Sequence, residues 1–555
     1  MADPQSRPNG GVERSLSAVL IFFTLVLFLV RLGDRAVVSE EFRWAEIARE
    51  MRATGDYLHP TINGQTYYDK PVGSYWLIVA ASYVTGGVNE TAARLPAAIS
   101  GVIGVGLVVV LARKFYEARV ALLAGAILAT CFGYVFYSRR ATADVETVVG
   151  VLAAIYLYAH NQDRKGYAWV ILLWALMAAT SLTKGLLGFA LPLVVMGTDS
   201  VLRVFSARRE SGLFRSLVEQ SRWFFNWWTV MALPLGVALY LVPFLLSASE
   251  TGAATGLEMV WRENLKRFVL PHNHTGPVYL YCGVIFVLAA PWSLFLPTAL
   301  MPTSGRSPDA RLIRVYFWAV FIFFTISASR RSYYLLPVLP PAAILIADFI
   351  SRSRTELGRI PLRIRDVGWG IFGIGAVLCG LGLLSPSWVL PAPYNEFPPL
   401  PYRGVFAIGW LAGLGLLGTA ASGRTMRLEW SAVIVVFALM IYVFGIAWPE
   451  ADDQRTRRAF VAEVLAKTGG APDKLALFHA RDIVFDLGRT VPDYTDAIEL
   501  TNAMNGGKVR WVLARRRYLT GIPFPAQIVS EEAVRPWEGD EQLGDKMVLL
   551  QAMPR

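Results

Sequence analysis

Apolar runs close to 20 residues long recur through this chain of 555 residues, and few folds are open to a sequence built that way. A helix needs about 20 apolar residues to cross the ~30 Å hydrocarbon core of a bilayer. Runs of that kind lie near 15–32, 94–112, 119–138, 143–160, 167–183, 185–200, 224–247, 278–301, 313–328, 332–350, 367–389, 402–421 and 430–448, so about thirteen crossings are expected. With 54% hydrophobic and 17% charged residues and a mean hydropathy of +0.43, a soluble enzyme on one anchor is excluded and a polytopic membrane protein is indicated. The first run follows Arg7 and Arg14 and has no small-residue cleavage site after it, which reads as a retained signal anchor. Residues 72–85 are too few to cross and carry Ser74, Tyr75, Trp76, Ser82 and Tyr83, as suits a helix lying in the interface or re-entering from it.

Charge fixes the orientation. If 72–85 does not cross, the loops 201–223 and 351–366, with five arginines each, both fall on the N-terminal side, as cytoplasmic loops should. The net charge of +11 is then a by-product of topology rather than a sign of nucleic acid, and no nucleic-acid partner is expected. Cys131, Cys282 and Cys379 sit far apart inside apolar runs, so neither a disulfide framework nor a thiolate metal site is indicated. With thirteen crossings and a cytoplasmic N-terminus, the loop 33–93 and everything past residue 449 face outward.

The outer loop is where chemistry is expected. Residues 40–76 concentrate Glu40, Glu41, Arg43, Glu46, Asp69 and Lys70 in a chain otherwise poor in charge. Trp44, Ile47, Ala48 and Met51 recur at helical spacing, predicting an amphipathic helix that lies on the bilayer with its carboxylates toward water and ends before Gly55 and Pro60. Glu46, Arg49 and Glu50 on that helix have the spacing of solvated ion pairs. The same topology brings Asp144, the Lys184 turn, the loop 248–277 with His272 and His274, and the Arg330-Arg331 turn to the outer face. Two histidines without a fixed third ligand make a weak metal site, so proton exchange or acceptor hydrogen bonding is the reading for His274 and no metal is assigned. Arg139 and Arg140 read as helix-end markers, and Lys184 has the alternative of snorkelling from one. From residue 450 the composition turns to mixed charge. A helix over 456–467 and strands at 474–478, 509–513 and 547–550 predict a small α/β domain over 450–555, with the catalytic membrane domain over 1–449.

The run EEFRWAEIAREM at 40–51, followed by Gly55-Asp56, by YDKP at 68–71 and by Tyr75-Trp76, resembles the first-loop signature of bacterial aminoarabinose transferases and related GT-C glycosyltransferases of the protein O-mannosyltransferase type. ATAD at 141–144, TKG at 183–185, the loop from Arg267-Phe268 to His274, PWS at 291–293 and SRRSYYLLP at 329–337 match in the family's order, so the resemblance covers nearly the whole chain. Where the family has Asp-Glu this chain has Glu40-Glu41, which lengthens the leading carboxylate by a methylene.

The resemblance implies a GT-C fold in the bacterial inner membrane. It further implies transfer, with inversion, of a sugar from undecaprenyl phosphate to lipid A or another envelope glycan or protein at the periplasmic face, by a monomer that needs no cofactor. A leaving phosphate needs cations, and Lys70, Arg330 and Arg331 with the hydroxyl of Tyr334 fill that part. A hydroxyl acceptor needs a base, for which Glu40 is the choice, supported by Asp144 and Glu41; a phosphate acceptor needs none and leaves the carboxylates to recognise an amino sugar. Arg43, Asp69, Lys184 and His274 complete the substrate site. A transporter would place charges near the bilayer midplane, whereas Asp144, Lys184, Asp199 and Asp348 sit near segment ends.

Overall fold

The computed structural model describes residues 10–37, 40–162, 166–252, 255–262, 276–301, 310–385, 403–421, 428–449, 457–469, 474–519, 525–532 and 546–553. Most of them are helical. Helix occupies each of the segments in which a crossing was expected, but length and composition qualify fewer than thirteen. Among the described residues seven helices are long and apolar enough to span, or eight if α5 (Ala118–Thr130) and α6 (Phe132–Ser138), which meet at 63°, form one broken span. The shortfall has local causes: α8 (Trp169–Lys184) has only 16 residues, and 280–300 divides into Leu280–Leu288, a 3₁₀ turn Trp292–Phe295 and Leu296–Leu300. The spanning helices point apolar side chains outward, among them Phe22, Trp227 and Ile374, as lipid-facing surfaces require.

After α1 (Gly10–Leu29) comes α2 (Glu41–Thr54), ended by Gly55 in the left-handed conformation, its N–H bonded to the Met51 carbonyl. A two-strand hairpin, β1 (Thr61–Ile62) and β2 (Gln65–Thr66), turns through Asn63 and Gly64 with φ of 56° and 71°, the backbone of a two-residue hairpin turn that Asn-Gly favours. Next, α3 (Gly73–Val84) is too short to cross, its 12 residues reaching only ~18 Å. It packs on α8 at Gly73, where an added Cβ would stand 2.6 Å from the Leu182 carbonyl. Glycine there brings the first loop against the end of α8, where the Ser74 hydroxyl donates to the Thr183 carbonyl at 3.3 Å. The long α4 (Glu90–Arg113) and α7 (Asp144–Asn161) complete the frame around the loop.

Residues 457–553 carry a five-stranded sheet of order β4-β3-β5-β7-β6, with β3 (Leu475–Phe478) parallel to β4 (Asp493–Tyr494) and β5 (Trp511–Arg515), and β7 (Met547–Ala552) antiparallel to β5 and β6 (Ala526–Glu531). All four residues of β3 are buried, as a central strand with two covered faces demands. The sequence signal missed β4, which is two residues long after a proline, and β6, half of which is exposed. This sheet unit rests on the first loop. Phe485 packs against the apolar side of α2 and α3, and Arg458 pairs with Glu90 and donates to the Asp34 carbonyl at 3.3 Å.

Candidate active site

The apolar stripe of α2 forms as expected but is buried against other protein elements rather than lying on a bilayer, with Trp44, Ile47, Ala48 and Met51 at most 6% exposed and the Trp44 and Tyr75 rings 5.0 Å apart. The expectation that its carboxylates face water is overturned, because Glu41, Glu46 and Glu50 are 1%, 0% and 4% exposed. Glu41 and Glu50 have partners that sequence spacing does not reveal, and the Glu46–Arg49 pair that spacing does suggest is formed with its carboxylate out of water. Glu46 takes a two-pronged bond from Arg49 at 2.6 and 2.7 Å; burial still pushes its carboxyl above the usual range, Arg49 opposing and Glu50 adding to the push. Glu50 accepts from the Thr61 hydroxyl and, at 3.2 Å, from the Gly64 N–H.

Glu41 meets Arg94 of α4, itself 1% exposed. All five guanidinium N–H groups are used: two on the Glu41 oxygens at 2.9 and 3.0 Å, the others on the carbonyls of Leu32, Arg35 and Ala36 at 2.8–3.0 Å. Glu41 also accepts from the Ala141 N–H at 2.9 Å. Burial alone would raise its carboxyl, but the Arg94 guanidinium holds it down at about 2. One buried pair thus joins the chain before α2, the start of α2, α4 and the approach to α7. Sequence reasoning placed Glu41 among the catalytic groups and passed over Arg94, which reads as an ordinary helix-end cation.

Glu40, one residue earlier, opens onto a different set. Its Oε1 accepts from Arg331 at 2.7 Å, and Arg43 lies 3.9 Å from its Oε2. Arg43 donates to Asp69 Oδ2 at 2.9 Å and to the Tyr67 hydroxyl at 2.8 Å. Burial raises the Tyr67 phenol despite Arg43, so it stays a neutral hydroxyl and donates to Asp69 at 3.4 Å. The Lys70 ammonium donates to the Asp69 carbonyl at 3.0 Å and stands 3.9 Å from the Asp69 carboxylate. On the other side Asp144, in the first turn of α7, is ion-paired with Lys184, the last residue of α8, and both are largely buried. The Lys184 ammonium lies over the Tyr333 ring at 4.7 Å, with Arg331 at 5.7 Å from the same ring. Tyr137, at the end of α6, packs on Tyr333 at 5.9 Å between ring centres.

Glu40, Arg43, Asp69, Lys70, Asp144, Lys184 and Arg331, all picked out in the sequence, are therefore linked side by side, although they come from segments hundreds of residues apart. Tyr67, Tyr137 and Tyr333 join them and were not singled out; Tyr333 stood inside a matched motif, whereas Tyr137 carried no signal. Arg330 donates to the carbonyls of Gly276 and Thr325 at 2.7 and 3.1 Å, and the Tyr334 ring packs between Phe324 and Tyr333 at 5.8 and 5.2 Å. His274 and the matched loop from Arg267 lie outside the described residues. Among the described residues no group of three or more His, Cys, Asp or Glu side chains is placed to hold a metal ion. Chemically, half-buried cations alternating with carboxylates suit a ligand that carries a phosphate and a polar or cationic group close together.

Comparison with known proteins bears on the same residues. Residues 13–250 match the dolichyl-phosphate-mannose-protein mannosyltransferase family. The undecaprenyl phosphate-alpha-4-amino-4-deoxy-L-arabinose arabinosyl transferase of Pseudomonas aeruginosa PAO1 is 27% identical over 470 residues, 83% of this chain and 80% of its own. That of Pectobacterium atrosepticum is 29% identical over 413 residues, 71% and 70% of the two chains. The crystal structure of ArnT from Cupriavidus metallidurans bound to undecaprenyl phosphate superposes with a TM-score of 0.71 at 21% identity, covering 97% of this chain and 99% of that one, and so has the same fold. Sequence, motifs and fold thus agree in making the chain similar to the protein O-mannosyltransferases and the bacterial aminoarabinose transferases.

Proposed function

We propose that this protein transfers 4-amino-4-deoxy-L-arabinose from undecaprenyl phosphate to a phosphate of lipid A, with inversion, at the periplasmic face of the bacterial inner membrane. The observation that carries the reading is the continuous line Asp144, Lys184, Tyr333, Arg331, Glu40, Arg43, Asp69 and Lys70, assembled from loops that thirteen crossings would place on one side. The protein acts as a monomer without a cofactor, and residues 450–555 form a separate outer domain.

The donor phosphate binds Lys70 and Arg331, which Glu40 holds in place through one of its N–H groups, and these cations stabilise the charge that grows on the bridging oxygen as the bond to the anomeric carbon breaks. The acceptor phosphate, already anionic, attacks that carbon from the opposite side. It needs no base, so Glu40 and Asp144 face the cationic amine of the sugar. Holding two lipid-borne reactants in one cleft removes much of the entropic barrier. Lipid A from cells with the gene is expected to carry an aminopentose mass that disappears on deletion. Unchanged lipid A, with a sugar missing from another glycan or protein, would move the acceptor elsewhere.

Glu40 has a length requirement of its own. Glu40→Asp withdraws the carboxylate by a methylene from an Arg331 contact of 2.7 Å, and kcat/KM is expected to fall about tenfold, the equivalent of one weakened charged hydrogen bond. Wild-type kinetics in this variant would show that the extra methylene is not used.

A further inference from the structure

The C-terminal domain grips the catalytic loop at a point the transfer chemistry leaves unused. Asn63, in the turn of the β1–β2 hairpin, is 7% exposed, and its carboxamide donates to the Val491 carbonyl and accepts from the Val491 N–H, both at 2.7 Å. The side chain thereby imitates a strand partner for the segment just before β4. A turn of this type asks only for Asn, Asp or Gly, so burial and a double bond to another domain exceed what the turn needs. Glu50 grips the same hairpin from α2 through Thr61 and Gly64, and the adjacent Arg49, forked on Glu46, donates to the Gly488 carbonyl at 3.2 Å. The Tyr67 N–H closes the hairpin on the Pro60 carbonyl at 2.8 Å. Tyr67, Asp69 and Lys70 follow at once.

We propose that Asn63 is a positioning residue, through which the C-terminal domain fixes the hairpin that presents Tyr67, Asp69 and Lys70 to the donor phosphate. The inference rests on the reading of Lys70 as a donor-phosphate ligand. Asn63→Gly deletes both bonds yet accepts the positive φ, so it separates the contact from backbone strain. In the purified full-length protein this variant is expected to raise the donor KM about tenfold and to weaken undecaprenyl phosphate binding by a similar factor, with kcat within about twofold. Asn63→Asp keeps the acceptor for the Val491 N–H and is expected to recover part of the loss. Lys70→Ala, measured in parallel, should lose undecaprenyl phosphate binding outright. If it does and Asn63→Gly keeps wild-type KM and affinity, even with a lowered unfolding temperature, the positioning role is overturned while the site stands. If Lys70→Ala binds undecaprenyl phosphate normally, the site reading falls and this inference with it.

Discussion

Lys70→Ala is expected to abolish sugar transfer, lowering kcat/KM by about 10³-fold or more while the protein still accumulates in the membrane. Removing one preorganised donor from a developing oxyanion costs ~10²–10³ in rate, and here the lost group is a full charge beside a leaving phosphate. The side chain is half-buried on the Asp69 carbonyl at the end of an ordered loop, and alanine leaves no large cavity there. Stability should therefore change little, and the effect belongs to chemistry. Asp144→Asn is expected to lose about 10²-fold, because it removes the charge that meets the amine of the sugar and that holds the Lys184 ammonium over Tyr333. Transfer from undecaprenyl-phosphate sugar in proteoliposomes reads both, and wild-type rates in either would remove that residue from the site.

Breaking the Arg94–Glu41 pair should act in the opposite way, on the structure first and on activity through it. Arg94→Met strands a buried carboxylate and leaves the carbonyls of Leu32, Arg35 and Ala36 without their donor, for an expected loss of about 3–5 kcal/mol. The double variant Arg94→Met, Glu41→Gln removes the orphaned charge as well and should recover part of that loss. Thermal unfolding in detergent, with proteolysis of the first loop as a local probe, measures both. Equal unfolding temperatures for wild type and Arg94→Met would refute the assignment. The pH dependence has a definite sign. The folded carboxyl of Glu41 lies at about 2, below its ordinary 4.5, so its contribution is complete above pH 4.5 and disappears as the pH falls through about 2. Acid that protonates ordinary surface carboxylates should leave this joint closed.

Much of the fold was legible because its signals are local. The stripe Trp44, Ile47, Ala48 and Met51, the short run that became Gly73–Val84, and the strands at Leu475–Phe478 and Met547–Ala552 each follow from periodicity or length. What was not legible depends on partners far away in sequence. Glu46 and Glu50 have the spacing of surface ion pairs, and nothing nearby tells that a hairpin and a sheet domain will cover them. Glu40 and Glu41 look equivalent as neighbours, yet about 100° of helix rotation sends one to Arg331 and the other to Arg94. The candidate site was legible as a set of motifs, and their assembly through Tyr333 and Tyr67 was not.

The bond between Asn63 and Val491 spans 428 residues, and that between Glu40 and Arg331 spans 291. A ribosome must therefore deliver most of the chain before the first loop, which leaves the translocation machinery early, meets the groups that complete it. During that interval the nascent protein displays a hairpin that lacks its partner at Val491, so a chain interrupted before residue 491 is expected to hold the donor less tightly than the finished protein.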